Sequence, residues 1–255
     1  MKAFTQKAFL FFVFFFLYTP ILILILYSVN DAKFSLQWHG FSWQWYRELF
    51  QDRGLWSAFF NSIFLGVCAS FIATLLGLLA SVNLFLFRTR KQNSFYILLL
   101  LLIIIPDLVL GVALLLFFNI MQIPLGFLSL LIAHITFCLP FVILTIKSRI
   151  NTLDPNIYFS ALDLGASRYV ALTKVLLPLL WSAILSALLL SFTLSFDDVM
   201  ISYFVAGPDF NILPLAIYSL VRTGVTPELN ALCTITFFIS MILVTLSYRL
   251  SGKPS

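Results

Sequence analysis

Charge is what this sequence has least of. Only 10% of its 255 residues are Asp, Glu, Lys or Arg, against 62% hydrophobic, where a soluble globular domain uses about 25% charged residues. A mean hydropathy of +1.06 accompanies that deficit. Together they exclude a soluble domain and point to a polytopic, all-α membrane protein, since helices satisfy their own backbone polar groups in lipid. Imidazoles and thiols are scarce too. Cys68, Cys138 and Cys233 stand far apart in apolar surroundings, with His39 and His134 as the two histidines, so neither metal-ligand spacing nor a Cys/His nucleophile is in view. No metal site and no catalytic site is expected. The G-x-x-x-x-G-K-[ST] loop that cradles nucleotide phosphates is missing as well. The chain is therefore not expected to be an enzyme, and ATP, if it is used, must be hydrolysed on a partner. Glycine is dispersed, no low-complexity tail is present, and nothing reads as a linker, so residues 1–255 are expected to form one membrane domain.

What the sequence has in quantity is long apolar runs. A helix needs about 20 apolar residues to cross a bilayer, and six stretches qualify, near residues 8–29, 59–87, 95–118, 125–146, 179–196 and 229–248. The first follows Lys2 and Lys7 and shows no small-residue cleavage site, so it is expected to stay as an anchor and not to act as a signal peptide. Basic residues fix the orientation. With the N-terminus inside, Lys2, Lys7, Arg88, Arg90, Lys91, Lys147, Arg149, Arg168, Lys174, Arg249 and Lys253 are cytoplasmic, and only Lys33, Arg47, Arg53 and Arg222 lie outside. Among the acids only Asp154 and Asp163 are inside. Both termini are thus expected in the cytoplasm, and the net charge of +5 reflects inward-facing lysine and arginine without any nucleic-acid partner.

The longest polar interruption is KSRINTLDPNIYFSALDLGASRYVALTKVLLP, Lys147 to Pro178. Asp154 before Pro155 reads as an N-cap with proline at the first helical position. Ile157, Ala161 and Leu164 line one face of the helix that follows. Gly165 can end it in the left-handed conformation, and Ser167 can cap a second helix through Tyr169, Leu172 and Leu176. The expectation is two short helices around a glycine elbow, within about residues 154–177, either presented to a partner or lying on the lipid surface.

Acidic residues in apolar settings supply the other candidates. Pro106 and Asp107 sit in the middle of the third span, in IIIPDLVLG. A carboxylate there costs a few kcal/mol, so it is expected to face a cavity or to pair with a neighbouring helix, and the proline frees a carbonyl that can line the same cavity. Asp197 and Asp198 end the fifth span, near the outer surface. The apolar segment after them is too short to cross and is broken by Gly207, Pro208 and Pro214, as a re-entrant, cavity-lining stretch would be. Adjacent carboxylates repel and suit a shared cation, and Tyr203 and Tyr218 offer aromatic faces to an organic one. His134 reads first as a packing residue with its polar groups satisfied. Trp38, Trp43, Trp45 and Trp56 mark a short interfacial helix around Trp43 to Phe50, or a platform for an extracytoplasmic partner.

These residues also carry a resemblance. Gly165, nine residues, then Val175-Leu176-Leu177-Pro178 resembles the cytoplasmic signature of permease subunits of ATP-binding-cassette importers. Ser160 and Ala161 fall on the signature's paired alanines and Val175 on its isoleucine, with Ala166 beside the glycine. Phe159 replaces its glutamate and removes an anionic contact. Together with AHITFCLPFV, SFTLSFDDV, GP-x-x-x-ILPL-x-IYS and GV-x-PE-x-NAL, nearly the whole chain after the first span is similar to the spermidine/putrescine branch of that family.

The resemblance implies a type I importer permease fold with six transmembrane helices in a bacterial inner membrane. It implies a sister permease, a homodimeric ATPase that binds ATP and Mg, and a periplasmic polyamine-binding protein as partners, besides membrane lipid. Ser160, Ala161, Gly165, Ala166, Leu177 and Pro178 would form the ATPase-coupling surface. Asp107, Asp197, Asp198, Tyr203 and Tyr218 would line the substrate path. A permease for another small substrate, or a proton-coupled carrier using Asp107 and His134, are the competing readings.

Overall fold

The computed structural model describes residues 2–31, 37–87, 92–154, 156–223 and 227–250. Lys33, Arg88, Arg90, Lys91, Pro155 and Lys253, used above for orientation and capping, lie outside the described residues. Those described form helices joined by short connections, with one isolated bridge pair, Asn30–Phe41. In order the helices are α1 (Lys2–Tyr27), α2 (Gln44–Gln51), α3 (Arg53–Leu86), α4 (Gln92–Ile104), α5 (Asp107–Ile120), α6 (Phe127–Ile150), α7 (Asn156–Asp163), α8 (Arg168–Val170) with a π-helical turn (Ala171–Leu176) leading into α9 (Leu177–Asp197), α10 (Met200–Val205), α11 (Leu213–Thr223) and α12 (Pro227–Leu250).

Among the described residues four helices are long and apolar enough to span a membrane, and five if α4 and α5 count as one. That last pair lies where one third span was expected, near residues 95–118. The chain bends by 106° between them, because proline disfavours the helical region for the residue before it. Pro106 takes φ −58° and ψ 137°, and α5 restarts with Val109 and Leu110 N–H groups donating to the Pro106 carbonyl at 2.9 and 3.1 Å. Asp107 thus opens a new helix instead of sitting inside one.

The helix expected after Ser167 and the fifth span expected near residues 179–196 form one continuous helix, Arg168–Asp197, of 30 residues. Pro178 would remove a hydrogen bond and clash with the carbonyl four residues back in a regular helix. The widened turn before it accommodates that ring, and Leu177 N–H reaches the carbonyl of Leu172 five residues back.

The described residues pack as two compact units, one of residues 57–215 and one of residues 1–56 with 216–255. In the first, α6 lies along α9, α10 packs on α5 and α6, and α7 packs on the π turn. One apolar cluster joins Ala73 and Val82 of α3, Val142, Ile146 and Ile150 of α6, Tyr158 of α7, and Ala171, Leu176 and Leu180 around the π turn. A second joins Leu65, Leu110, Phe118, Leu130, Ile201, Val205 and Ile212.

In the other unit α12 packs on α1 and α2. The short amphipathic helix expected around Trp43 to Phe50 is α2, with Trp45 and Leu49 buried. Trp45 Nε1 donates to the Asn30 carbonyl at 2.7 Å, while Asn30, itself fully buried, donates from Nδ2 to Gln37 O and accepts from His39 N–H, both at 2.9 Å. Trp38, Phe41 and Trp43 stay exposed.

Candidate functional site

Two sites are built in the larger unit, and the Arg168–Asp197 helix belongs to both. At its N-terminal end is the glycine elbow. Asp154 caps α7, its Oδ1 accepting from Asn156 N–H at 2.9 Å. Gly165 ends α7 with φ +89°, a conformation that costs a residue with a Cβ about 1–2 kcal/mol. Two hydrogen bonds close the helix end there, Gly165 N–H to Leu162 O at 2.9 Å and Ala166 N–H to Ala161 O at 3.0 Å, which is the Schellman pattern. Ser167 then caps the next helix, its hydroxyl accepting from Val170 N–H at 3.3 Å.

Tyr158 and Ala171 anchor this elbow in the apolar cluster. Its outward side sets large apolar side chains among charged ones: Phe159 is 46% exposed, Leu164 89% and Tyr169 75%, with Asp163 and Arg168 exposed beside them. Of the expected coupling residues, Ser160, Gly165 and Pro178 are exposed and Ala161, Ala166 and Leu177 half-buried. Leu177 and Pro178 line an open recess of about 470 Å³ with Thr173 and Trp181.

At the other end of the helix the two aspartates part company. Asp197 is exposed, but Asp198 is 8% exposed, so the two neighbours meet different surroundings. Nor does Asp198 depend on a shared cation for its polar partners. Its Oδ2 accepts from Ser202 N–H at 2.8 Å and from the Ser202 hydroxyl at 2.7 Å, and its Oδ1 accepts from Ile201 N–H at 3.2 Å. These are the free backbone donors of a helix start, which a side-chain carboxylate caps.

Asp107 joins this site from α5. Gly111, one turn further along the same face, lies so close to α10 that a Cβ there would stand 3.2 Å from Ile201 Cα and 3.3 Å from Met200 O. That approach brings Asp107, exposed at the head of α5, to where the Asp198 charge is felt. Tyr203, 52% exposed, projects from α10 with its ring edge-on to Phe204 at 5.5 Å. The structure therefore gathers Asp107, Asp197, Asp198 and Tyr203 around the α9–α10 junction. Tyr218 belongs to the other unit, with the Arg222 guanidinium 5.3 Å from its ring centre.

The sequence reading missed the polar chain beneath Asp198. His134, fully buried on α6, bonds Ser195 Oγ of α9 through Nδ1 at 2.6 Å and Ser202 Oγ of α10 through Nε2 at 3.0 Å. The satisfied histidine expected from the sequence has both ring nitrogens partnered. A usable signal was the i, i+4 pair Asp198 and Ser202, a capping carboxylate with a hydroxyl one turn on.

The described residues hold no group of three or more His, Cys, Asp or Glu side chains arranged to bind a metal. The site can instead do electrostatics: a buried, hydrogen-bonded carboxylate beside an exposed one, at the end of a helix whose other end carries the exposed side chains of the elbow.

The spermidine/putrescine transport system permease protein PotC of Haemophilus influenzae is 46% identical over 252 residues, covering 99% of this chain and 98% of that protein. The Escherichia coli K12 protein of the same description is 44% identical over 91% of this chain and 88% of its own length, and the putrescine transport system permease protein PotI of that strain is 40% identical over 86% and 81%. A crystal structure described as an amino acid ABC transporter with histidines shares the fold, with a TM-score of 0.57 at 20% identity over 81% of this chain and 92% of that one. The family described as binding-protein-dependent transport system inner membrane component matches residues 73–253, and the chain belongs to it.

Proposed function

We propose that this chain is the permease subunit of an ATP-driven polyamine importer, taking substrates of the spermidine and putrescine class. It crosses a bacterial inner membrane six times with both termini in the cytoplasm, and with a sister permease it encloses the translocation path. A homodimeric ATPase, carrying ATP and Mg, docks on the elbow through Phe159, Leu164, Tyr169 and the small residues Ser160, Ala161, Gly165 and Ala166. A helix-in-groove contact of this kind transmits motion through apolar anchors. A periplasmic binding protein delivers the polyamine.

One observation carries the reading: a single helix, Arg168–Asp197, starts at the elbow and ends at the carboxylates. Work received at one end is thereby delivered where a polycation would be held. Relatives named as spermidine/putrescine permeases support the substrate class.

The electrostatics suit it. A carboxylate about 4 Å from an ammonium contributes on the order of 4 kcal/mol at an effective dielectric near 20, which offsets much of the lost hydration. Asp107 and Asp197 are exposed and open to an approaching ammonium. Asp198 already accepts three hydrogen bonds, so it offers a steady background charge and not a tight ligand, as a path that must release its cargo requires.

Uptake of labelled spermidine and putrescine by cells carrying the complete importer tests this. Asp107→Asn and Asp198→Asn are expected to cut uptake about tenfold or more at unchanged membrane abundance. Normal uptake by both variants would refute the acidic path. Uptake in vesicles without nucleotide, driven by a proton gradient, would refute the ATP-driven mechanism.

A further inference from the structure

The proton directions in the buried chain follow from its geometry. An ionised Asp198 can only accept hydrogen bonds. Ser202 therefore spends its hydroxyl proton on Asp198 Oδ2, at 2.7 Å, and its Oγ is left to accept from His134 Nε2–H at 3.0 Å. With the proton on Nε2, Nδ1 is a bare acceptor, and the Ser195 hydroxyl donates to it at 2.6 Å. The chain runs one way, from Ser195 on α9 through His134 on α6 to Ser202 and Asp198 at the start of α10. His134 Nε2 also lies 3.7 Å from Asp198 Oδ2, so ring and carboxylate stand close on either side of the Ser202 hydroxyl.

We infer that His134 is a positioning residue for transport: its imidazole fixes the Asp198 carboxylate relative to α6 and α9, so that the charge keeps its place beside Asp107. This rests on the polyamine-permease reading and deepens it. Asp198 accepts three donors on its two oxygens, and a carboxylate has about four acceptor sites. One direction is left; two backbone N–H groups of α10 and the Ser202 hydroxyl set where it points, and the histidine holds that hydroxyl. The neighbouring contacts leave α10 little other freedom. Ser129 Oγ of α6 donates to the Val205 carbonyl at 2.8 Å, and Gly111 of α5 presses on Met200 and Ile201. The far end of α10 is thus held by the Ser129 hydroxyl of α6, and its first turn by the ring.

A helix-bridging histidine that served packing alone would weaken transport of every substrate equally. A histidine acting through a charge would not, because the lost interaction scales with the charge it meets. Uptake of putrescine, a dication, and of spermidine, a trication, is measured in cells with the complete importer, each normalised to wild type and to permease abundance. His134→Phe keeps the bulk and strips both ring nitrogens; His134→Gln restores one donor and one acceptor at similar spacing; Ser202→Ala cuts the link between ring and carboxylate.

His134→Phe is expected to lower spermidine uptake about tenfold and putrescine uptake about fivefold, two-thirds of the effect on a logarithmic scale. Ser202→Ala is expected to show the same inequality, and His134→Gln to recover to within about threefold of wild type. Equal losses for the two polyamines, no loss in His134→Phe, or a glutamine variant as poor as phenylalanine would overturn the proposal. If His134→Phe fails to reach the membrane, Ser202→Ala decides on the same criteria. A wild-type complex that takes up neither polyamine shows instead that the substrate reading is wrong, before any variant is compared, and the positioning role falls with it.

Discussion

Replacing Gly165 separates the elbow's conformation from its packing, because nothing lies within 4 Å of where a Cβ would stand. The penalty of a substitution is therefore conformational and not steric. At φ +89° an alanine should cost about 1–2 kcal/mol, asparagine less because it tolerates left-handed backbone, and valine the most because its branched Cβ crowds that region. The cost falls locally on the two hydrogen bonds that close α7, Gly165 N–H to Leu162 O and Ala166 N–H to Ala161 O. A shift of 1–2 kcal/mol is about 5–30-fold in a two-state equilibrium, enough to empty the native elbow if its native margin is small, while the clusters around α6 and α9 hold the rest. Aspartate has the shape of asparagine but places a negative charge at a helix C-terminus, adding about 0.3–1 kcal/mol. The assay is ATP hydrolysed per polyamine imported by the purified complex in liposomes with loaded binding protein. Transport per ATP should fall in the order glycine, asparagine, then aspartate and alanine, then valine, at equal yield of complex. A valine variant that couples as well as wild type would refute the claim that this bend transmits work, as would losses explained entirely by missing protein.

Leu164 is 89% exposed, so Leu164→Ser should leave the chain's melting temperature unchanged in isolation while reducing recovery of the ATPase in co-purification; equal recovery would remove it from the docking surface. Gly111→Ala would set a Cβ 2.9 Å from the Phe204 ring and 3.2 Å from Ile201 Cα; the ring can turn but the backbone cannot, so about 1–3 kcal/mol of overpacking should appear as a lower Tm of the detergent-solubilised complex. Trp45→Phe removes the Nε1–H donated to Asn30 O at 2.7 Å and leaves a carbonyl of a fully buried residue short of a partner, for about 1–3 kcal/mol; a thermal melt no different from wild type would mean that this loop is held by its apolar contacts alone.

Much of the fold and the elbow could be read from residue types, because the deciding interactions are local. Asp154, Gly165 and Ser167 announce helix ends by chemistry confined to a few residues, and the structure uses each as expected. The α4–α5 break was half visible: Pro106 signalled a weakened helix, but a 106° bend depends on what α5 packs against, and the glycine that lets it meet α10 is just one of the chain's ten. The continuous Arg168–Asp197 helix was hidden for the opposite reason. Lys174 and Pro178 look like a boundary, and only a π turn, which has no sequence period of its own, carries the helix through them. At the acidic site, adjacency in sequence misled. Asp197 and Asp198 point into different surroundings, and the partners of Asp198 are a histidine 64 positions earlier on α6 and a serine after the helix has ended. The serine, four residues on, leaves a local trace; the histidine does not.

The π turn at Ala171–Leu176 keeps an angle as well as a path. Each residue of a regular helix advances the chain by about 100° around its axis, and the wide turn takes up one extra residue without passing that rotation on to what lies beyond Pro178. Deleting one residue between Ala171 and Leu176 would close the turn with the flanking helices still in step, and would bring the carbonyl four residues back against the Pro178 ring. Such a deletion spares the alignment of elbow and carboxylates and strains the helix at Pro178 instead.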